Sequence, residues 1–145
     1  MRRGDVSCWY NFAHMTATFS RLVYRTAKPA AEVRLKVEET AKAKGLGVLA
    51  VHDMTAILQS KGMPIDYSVI VVEVCSPYHA RAVLGVEPAI ANALPCRIVI
   101  YERGGETVVE TLPPTMLLGG FGAKGLESVA EEVERLLKEI IQAAV

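Results

Sequence analysis

Two cysteines and one histidine carry most of the reactive chemistry in this 145-residue sequence. Cys75 closes the apolar run Tyr67–Cys75, and Ser76-Pro77 follows at once. Serine is a favoured helix N-cap and proline a favoured first helical residue, so the thiol stands at the predicted start of a helix. Free backbone N–H groups and the helix dipole at such a place favour a thiolate and lower a thiol pKa, which suits a nucleophile or a soft ligand. Cysteine is also among the most buried residue types, and a Cys75 that merely packs would do no chemistry. Cys96 follows Leu94-Pro95 and opens another apolar segment. If the two segments pair antiparallel, both thiols lie at one end of the sheet. A right-handed parallel crossover puts them at opposite ends, and the intervening residues permit either arrangement.

His79 stands four residues after Cys75, in the first turn of the same predicted helix. A Cys–His pair supports thiol chemistry or holds a metal. Two ligands do not close a structural zinc site, however, and His14 and His52 are not at ligand spacing. The plainer expectation is a surface histidine at a helix start. Cys75, Cys96 and His79 are therefore the catalytic candidates, with no metal site and no cofactor expected. Asp53 reads first as a helix cap. Gly120-x-Gly122-x-x-Gly125 has the letters of a dinucleotide fingerprint but the wrong context: Pro113-Pro114 lies just upstream, and no strand follows the last helix. Gly120, Gly122 and Lys124, with Ser76, remain as candidate ligand-binding residues, because a loop that opens a helix can hold a phosphate or sulfate.

The elements that must position these residues are legible in the hydrophobic period. Alternation over 16–25 predicts a strand, with Leu22 and Tyr24 on one face. Pro29 and Gly45 bracket a segment where Val33, Leu35 and Val37 alternate as in a strand while Val33, Val37 and Ala41 keep helical spacing. Its alanines, Glu38-Glu39 and Lys42/Lys44 favour helix. Gly45–His52 reads as a buried strand, followed by a short helix capped by Asp53 that ends at Gly62. Beyond the Cys75 strand come a helix to about Leu84, a shorter helical piece over Glu87–Leu94, and two strands, Arg97–Glu102 and Thr107–Leu112. The Arg103-Gly104-Gly105-Glu106 segment between them signals a hairpin. Leu126, Val129, Val133, Leu136, Leu137, Ile140 and Ile141 recur at three and four and mark an amphipathic terminal helix over 124–143. Glu131–Arg135 and Glu134–Lys138 are expected as outward i,i+4 pairs on it. The sum is one α+β domain over 1–145, with about five strands in a largely antiparallel sheet and helices on one face.

Composition bounds the partners. Hydrophobic residues make up 51%, and sixteen Lys and Arg balance sixteen Asp and Glu. That is enough for one core, while a neutral chain lacks the excess of cations needed to coat nucleic acid or dock on anionic lipid. No apolar run is long enough to span a bilayer, and Asp5, Asn11 and His14 break up any signal peptide after Arg2-Arg3. Three widely spaced cysteines (Cys8, Cys75, Cys96) without a Cys-x-x-Cys suggest no disulfide framework and a reducing cytoplasm. Two Asn and two Gln beside abundant Glu give a heat-adapted bias. Trp9, Tyr10 and Phe12 in the 1–15 extension are expected to pack on the body or on a second subunit, and Met15 is an alternative start.

Gly45-Leu46-Gly47-Val48-Leu49, Tyr67 with its apolar strand into Cys75-Ser76-Pro77, and Leu94-Pro95-Cys96-Arg97-Ile98-Val99-Ile100-Tyr101-Glu102 together resemble one family. It is the domain-of-unknown-function family numbered 302, and the resemblance covers roughly residues 18–118, with the terminal helix as an extension. The family typically shows Cys-Asn-Pro where this chain has Cys-Ser-Pro, a change that preserves the cap but not a role for the amide. The resemblance implies a compact α+β fold and homo-oligomers, most simply dimers, and puts Cys75 and Cys96 on motif positions. It implies no reaction. With no complete catalytic constellation in the sequence, the leading expectation is a self-associating cytoplasmic binding module for an unknown small-molecule ligand. The alternative is thiol-dependent redox, soft-metal or sulfur-species handling by Cys75 and Cys96.

Overall fold

A computed structural model of the chain describes residues 20–145. The expectations for the 1–15 extension and for Cys8 lie outside the described residues. The elements run β1 (Leu22–Thr26), α1 (Ala30–Ala43), β2 (Gly47–Asp53), α2 (Met54–Ser60), β3 (Val69–Cys75), α3 (Pro77–Leu84), a 3₁₀ helix (Pro88–Ala93), β4 (Cys96–Arg103), β5 (Glu106–Thr111), α4 (Pro114–Gly119) and α5 (Glu127–Ala144). The five strands form one antiparallel sheet in the order β1-β5-β4-β3-β2.

Alternation in the strands sorts the residues into two faces. Ile70, Val72 and Val74 of β3 lie opposite Ile100, Ile98 and Cys96 of β4, and this face takes the helices. Val33, Val37 and Ala41 of α1 and Leu137, Ile140 and Ile141 of α5 complete the main core, all without exposure. The competing strand pattern in 33–37 therefore loses to the helical one, and Leu35, which only the strand pattern would bury, is 63% exposed. Two core threonines are satisfied by the backbone: Thr107 Oγ1 donates to the Lys28 carbonyl at 2.6 Å and Thr111 Oγ1 to that of Arg97 at 2.7 Å, so neither burial leaves an orphaned hydroxyl.

Several local expectations hold. The Asp53 carboxylate accepts the Ala56 N–H at 3.0 Å and caps α2. Gly104 and Gly105, both at positive φ (61° and 79°), make the two-residue turn between β4 and β5, a geometry that glycine adopts without Cβ strain. Two corrections concern helices. Pro113-Pro114 ends β5 but also starts α4, a helix that the hydrophobic period did not mark; Pro114 occupies the first helical turn, where its fixed φ is an advantage. Arg135 pairs with Glu139 at 2.7 Å rather than with Glu131, while Lys138–Glu134 forms as expected at 2.9 Å. Glu139 also receives Lys44 at 2.6 Å, which ties the end of α1 to α5.

Beside the main core lies a second apolar cluster. Val83 of α3, Ile90 of the 3₁₀ helix and Leu126 are buried together, with Leu94, Leu118 and Phe121 packed around them. This cluster roofs the end of the sheet where β3 leaves and β4 enters.

Candidate functional site

A cavity of about 40 Å³ lies at the seam between the two clusters. Leu46, Val74 and Val133 line it from the main core, and Val83, Leu94 and Leu118 from the smaller one. Among these apolar walls stand four residues that can do chemistry: Cys75, Ser76, His79 and Cys96.

The sheet register explains why the cysteines meet. Antiparallel pairing sets Val74 opposite Cys96, so Cys75 is one residue from the direct partner of Cys96, and the question the sequence left open is answered by the antiparallel arrangement. Both thiols are free and partly buried. Burial pushes the Cys96 thiol up to about 11, with repulsion from Cys75 adding to it. Burial also raises Cys75 above its ordinary value. The expected lowering by the helix start is therefore corrected: loss of hydration at this seam outweighs what the α3 terminus supplies.

Ser76 caps α3 as expected, accepting the His79 N–H at 3.5 Å. Its Oγ also lies 2.7 Å from His79 Nδ1. His79 is not the surface histidine of the sequence reading. It is 8% exposed, because α5 packs against the side of α3 that carries it. Nε2 of the buried ring is 3.1 Å from Glu132 Oε2 on α5, yet the contact is too oblique to be a hydrogen bond, and the nitrogen has no other partner among the described residues. Tyr78, beside it, meets the ring edge-on at 5.2 Å. Glu132 is the residue that sequence reasoning missed. Its i+4 neighbour is Leu136, so unlike Glu134 it has no cation at that helical position to pair with. That was the one local sign that it looks elsewhere.

The remaining candidates do not join this site. Gly120 and Phe121 spend their N–H groups on the Leu117 and Leu118 carbonyls at the end of α4, so those two amides are not free for an anion. Gly122 and Gly125 sit at positive φ (63° and 82°) in the connection to α5, and Lys124 lies between them. His52 is on the opposite face of the sheet, 3.5 Å from Glu73. Among the described residues, no three His, Cys, Asp or Glu side chains gather as metal ligands. No helix among them is long and apolar enough to cross a membrane.

A model of the family described as "Domain of unknown function DUF302" matches residues 22–144 of the sequence. The chain belongs to the DUF302 family. The match runs from β1 through the terminal helix expected as an extension of the 18–118 core, and α4 and α5 supply Leu118, Val133 and Glu132 to the site. A crystal structure of an uncharacterized conserved DUF302 protein from Bacillus stearothermophilus is similar, with a TM-score of 0.82 and 29% identity. That similarity covers 89% of this chain and 100% of the other. None of the curated proteins matches the chain. Membership in DUF302 and the α+β fold with its five-stranded antiparallel sheet thus agree with the reading of the sequence.

Proposed function

We propose that the protein is a small-molecule binding module that takes a compact, mainly apolar ligand into the seam cavity. The observation that carries this reading is the cavity itself: apolar walls with a few convergent polar or soft groups are the usual make-up of a ligand site. Its volume of about 40 Å³ sets the size. Above the roughly 10–15 Å³ that one water needs, it has room for a group of a few heavy atoms, with the rest of the molecule at the mouth. The test is a titration with acetone or dimethyl sulfide followed by backbone amide NMR. Saturable shifts confined to Ala80, Val83, Leu94 and Leu117, lost in Ala93→Leu, are expected. Shifts that are non-saturable or spread over the sheet would refute the reading.

The closeness of Cys75 and Cys96 favours a second reading, in which the pair handles sulfur species or a soft cation. It requires at least one thiolate near neutral pH, so a Cys75 that resists alkylation at pH 7 sinks it. Free cysteines support a reducing, cytoplasmic setting for either reading.

We further propose that copies of the chain associate through the face of the sheet opposite α1 and α5. Val23, Glu110, Val99, Val71 and His52 form one row across all five strands on that face. Its Arg21, Arg25 and Arg97 are paired within the chain to Glu110, Glu106 and Glu73, so two identical faces meet without net repulsion. Sedimentation equilibrium checks this: Val99→Lys should shift a dimer to monomer, and a wild-type monomer at high concentration would overturn it.

A further inference from the structure

We propose that Ser76, His79 and Glu132 form an acyl-accepting relay at the cavity wall, with Ser76 Oγ as nucleophile and a small acetyl ester or thioester as donor. The inference rests on the cavity as a ligand site and adds a reaction to it. A hydroxyl becomes a nucleophile when a base lies within hydrogen-bond reach and a third group orients that base. Ser76 Oγ is 2.7 Å from His79 Nδ1, and the Glu132 carboxylate is 3.1 Å from Nε2 on the far side of the ring. The carboxylate favours the tautomer with its hydrogen on Nε2, which leaves Nδ1 as the acceptor for the Ser76 O–H. Burial of the imidazole at 8% exposure keeps this geometry away from competing water. Among the described residues the oblique Nε2 contact leaves that nitrogen without a hydrogen bond at rest, and a small turn of the exposed Glu132 side chain would complete it. Such contacts are often loose until substrate is bound.

The chemistry balances within the site. Ser76 Oγ attacks the carbonyl carbon and its proton passes to His79 Nδ1. The carbonyl oxygen becomes an oxyanion beside the positive end of α3, whose first turn begins at Pro77. Collapse breaks the bond to the alkoxide or thiolate, which leaves with the proton from Nδ1, and acetyl-Ser76 remains. Water then repeats the sequence, giving acetate and free serine. Acetyl has three heavy atoms, matching what a cavity of about 40 Å³ holds, so larger acyl groups should react less.

The experiment exposes the full chain to p-nitrophenyl acetate, follows p-nitrophenol release, and maps the acetylated residue by mass spectrometry. Ser76→Asn keeps a strong N-cap while removing the nucleophile. Wild type should carry acetyl on Ser76, and Ser76→Asn should lose it with its thermal unfolding midpoint little changed. His79→Gln should slow acetylation by roughly a hundredfold or more, the scale of a lost general base. Glu132→Gln should slow it less and displace the pH profile, an effect that a merely structural contact would not produce. Acetyl on Cys75 or on lysines alone, equal rates for wild type and Ser76→Asn, or no acetylation above buffer would each overturn the relay. The amide shifts with acetone report separately on the cavity and would survive that failure.

Discussion

Stability between pH 9 and 11 draws on the buried proton of Cys96. The Cys96 thiol ordinarily titrates at 9.0 and is pushed up to about 11 in the folded chain. Over that interval the folded state keeps a proton that the unfolded chain releases, so folding is favoured less as pH rises. The contribution is whole below pH 9 and is lost as pH climbs through 11. Two units at 1.36 kcal/mol each give about 3 kcal/mol in all, or about 1.4 kcal/mol per pH unit across the steep part. Partial burial of Cys75 acts in the same direction. Urea unfolding at half-unit steps from pH 8 to 11.5 measures the slope, and Cys96→Ala, compared point by point, subtracts the titration of lysines and tyrosines. The wild type should lose about 3 kcal/mol more than the variant over this range. Alkylation gives a kinetic check: at pH 7.4, two units fewer of ionisation slow Cys96 about a hundredfold relative to an unfolded-chain thiol, because the thiolate is the reacting species. Parallel pH slopes in wild type and Cys96→Ala, or a Cys96 alkylation rate that levels off near pH 9, would refute the argument.

Other predictions follow from packing and local geometry. Leu137→Ala removes a side chain without exposure from the contact between α5 and the sheet and should cost about 2–5 kcal/mol by urea unfolding, whereas Leu35→Ala on the outer side of α1 should stay within about 0.5 kcal/mol. Gly105→Ala forces a Cβ into φ 79° and should destabilise the β4–β5 hairpin by about 1–2 kcal/mol, seen as a lowered denaturation midpoint. Asp53→Ala should cost about 1 kcal/mol by loss of the α2 cap, and Asp53→Asn should restore most of it.

Much of this architecture was legible because it rests on local rules. Ser76-Pro77, Asp53 and Gly104-Gly105 mark helix starts and a turn through short-range geometry, and the three-and-four spacing of the terminal helix reports which side is buried. Pro113-Pro114 shows the limit of such reading, since the same dipeptide ends a strand and begins a helix, and only the residues packed against it decide. The pair Cys75–Cys96 was visible, but its proximity depended on the direction of a strand crossing that no local pattern encodes. His79 was misjudged for the same reason. Its neighbours in sequence make it a helix-start residue, while the carboxylate that faces it arrives 53 positions later, from a helix whose docking angle the periodicity does not specify. The rise of both thiol pKa values also depends on that docking, because it is the closing of the seam that removes water.

The strand order has a bearing on how the molecule assembles and comes apart. β2, β3, β4 and β5 follow one another across the sheet, so each can zip onto its predecessor, whereas β1 pairs among the described residues with β5 alone, and its register joins Leu22 to Thr111. Closing so long a loop is slow, because the entropy of the intervening chain is lost before the contact is rewarded. β1 is thus the final strand to zip and the first to peel, leaving the rest as a four-stranded remnant with β5 at its rim. Hydrogen exchange should show the β1 amides opening at lower free energy than those of β3 and β4, and equal protection across the sheet would contradict this. A β1 that has peeled offers its vacated edge on β5 to the same strand of a neighbouring copy, so the order of the strands also sets the route by which two chains could exchange a segment.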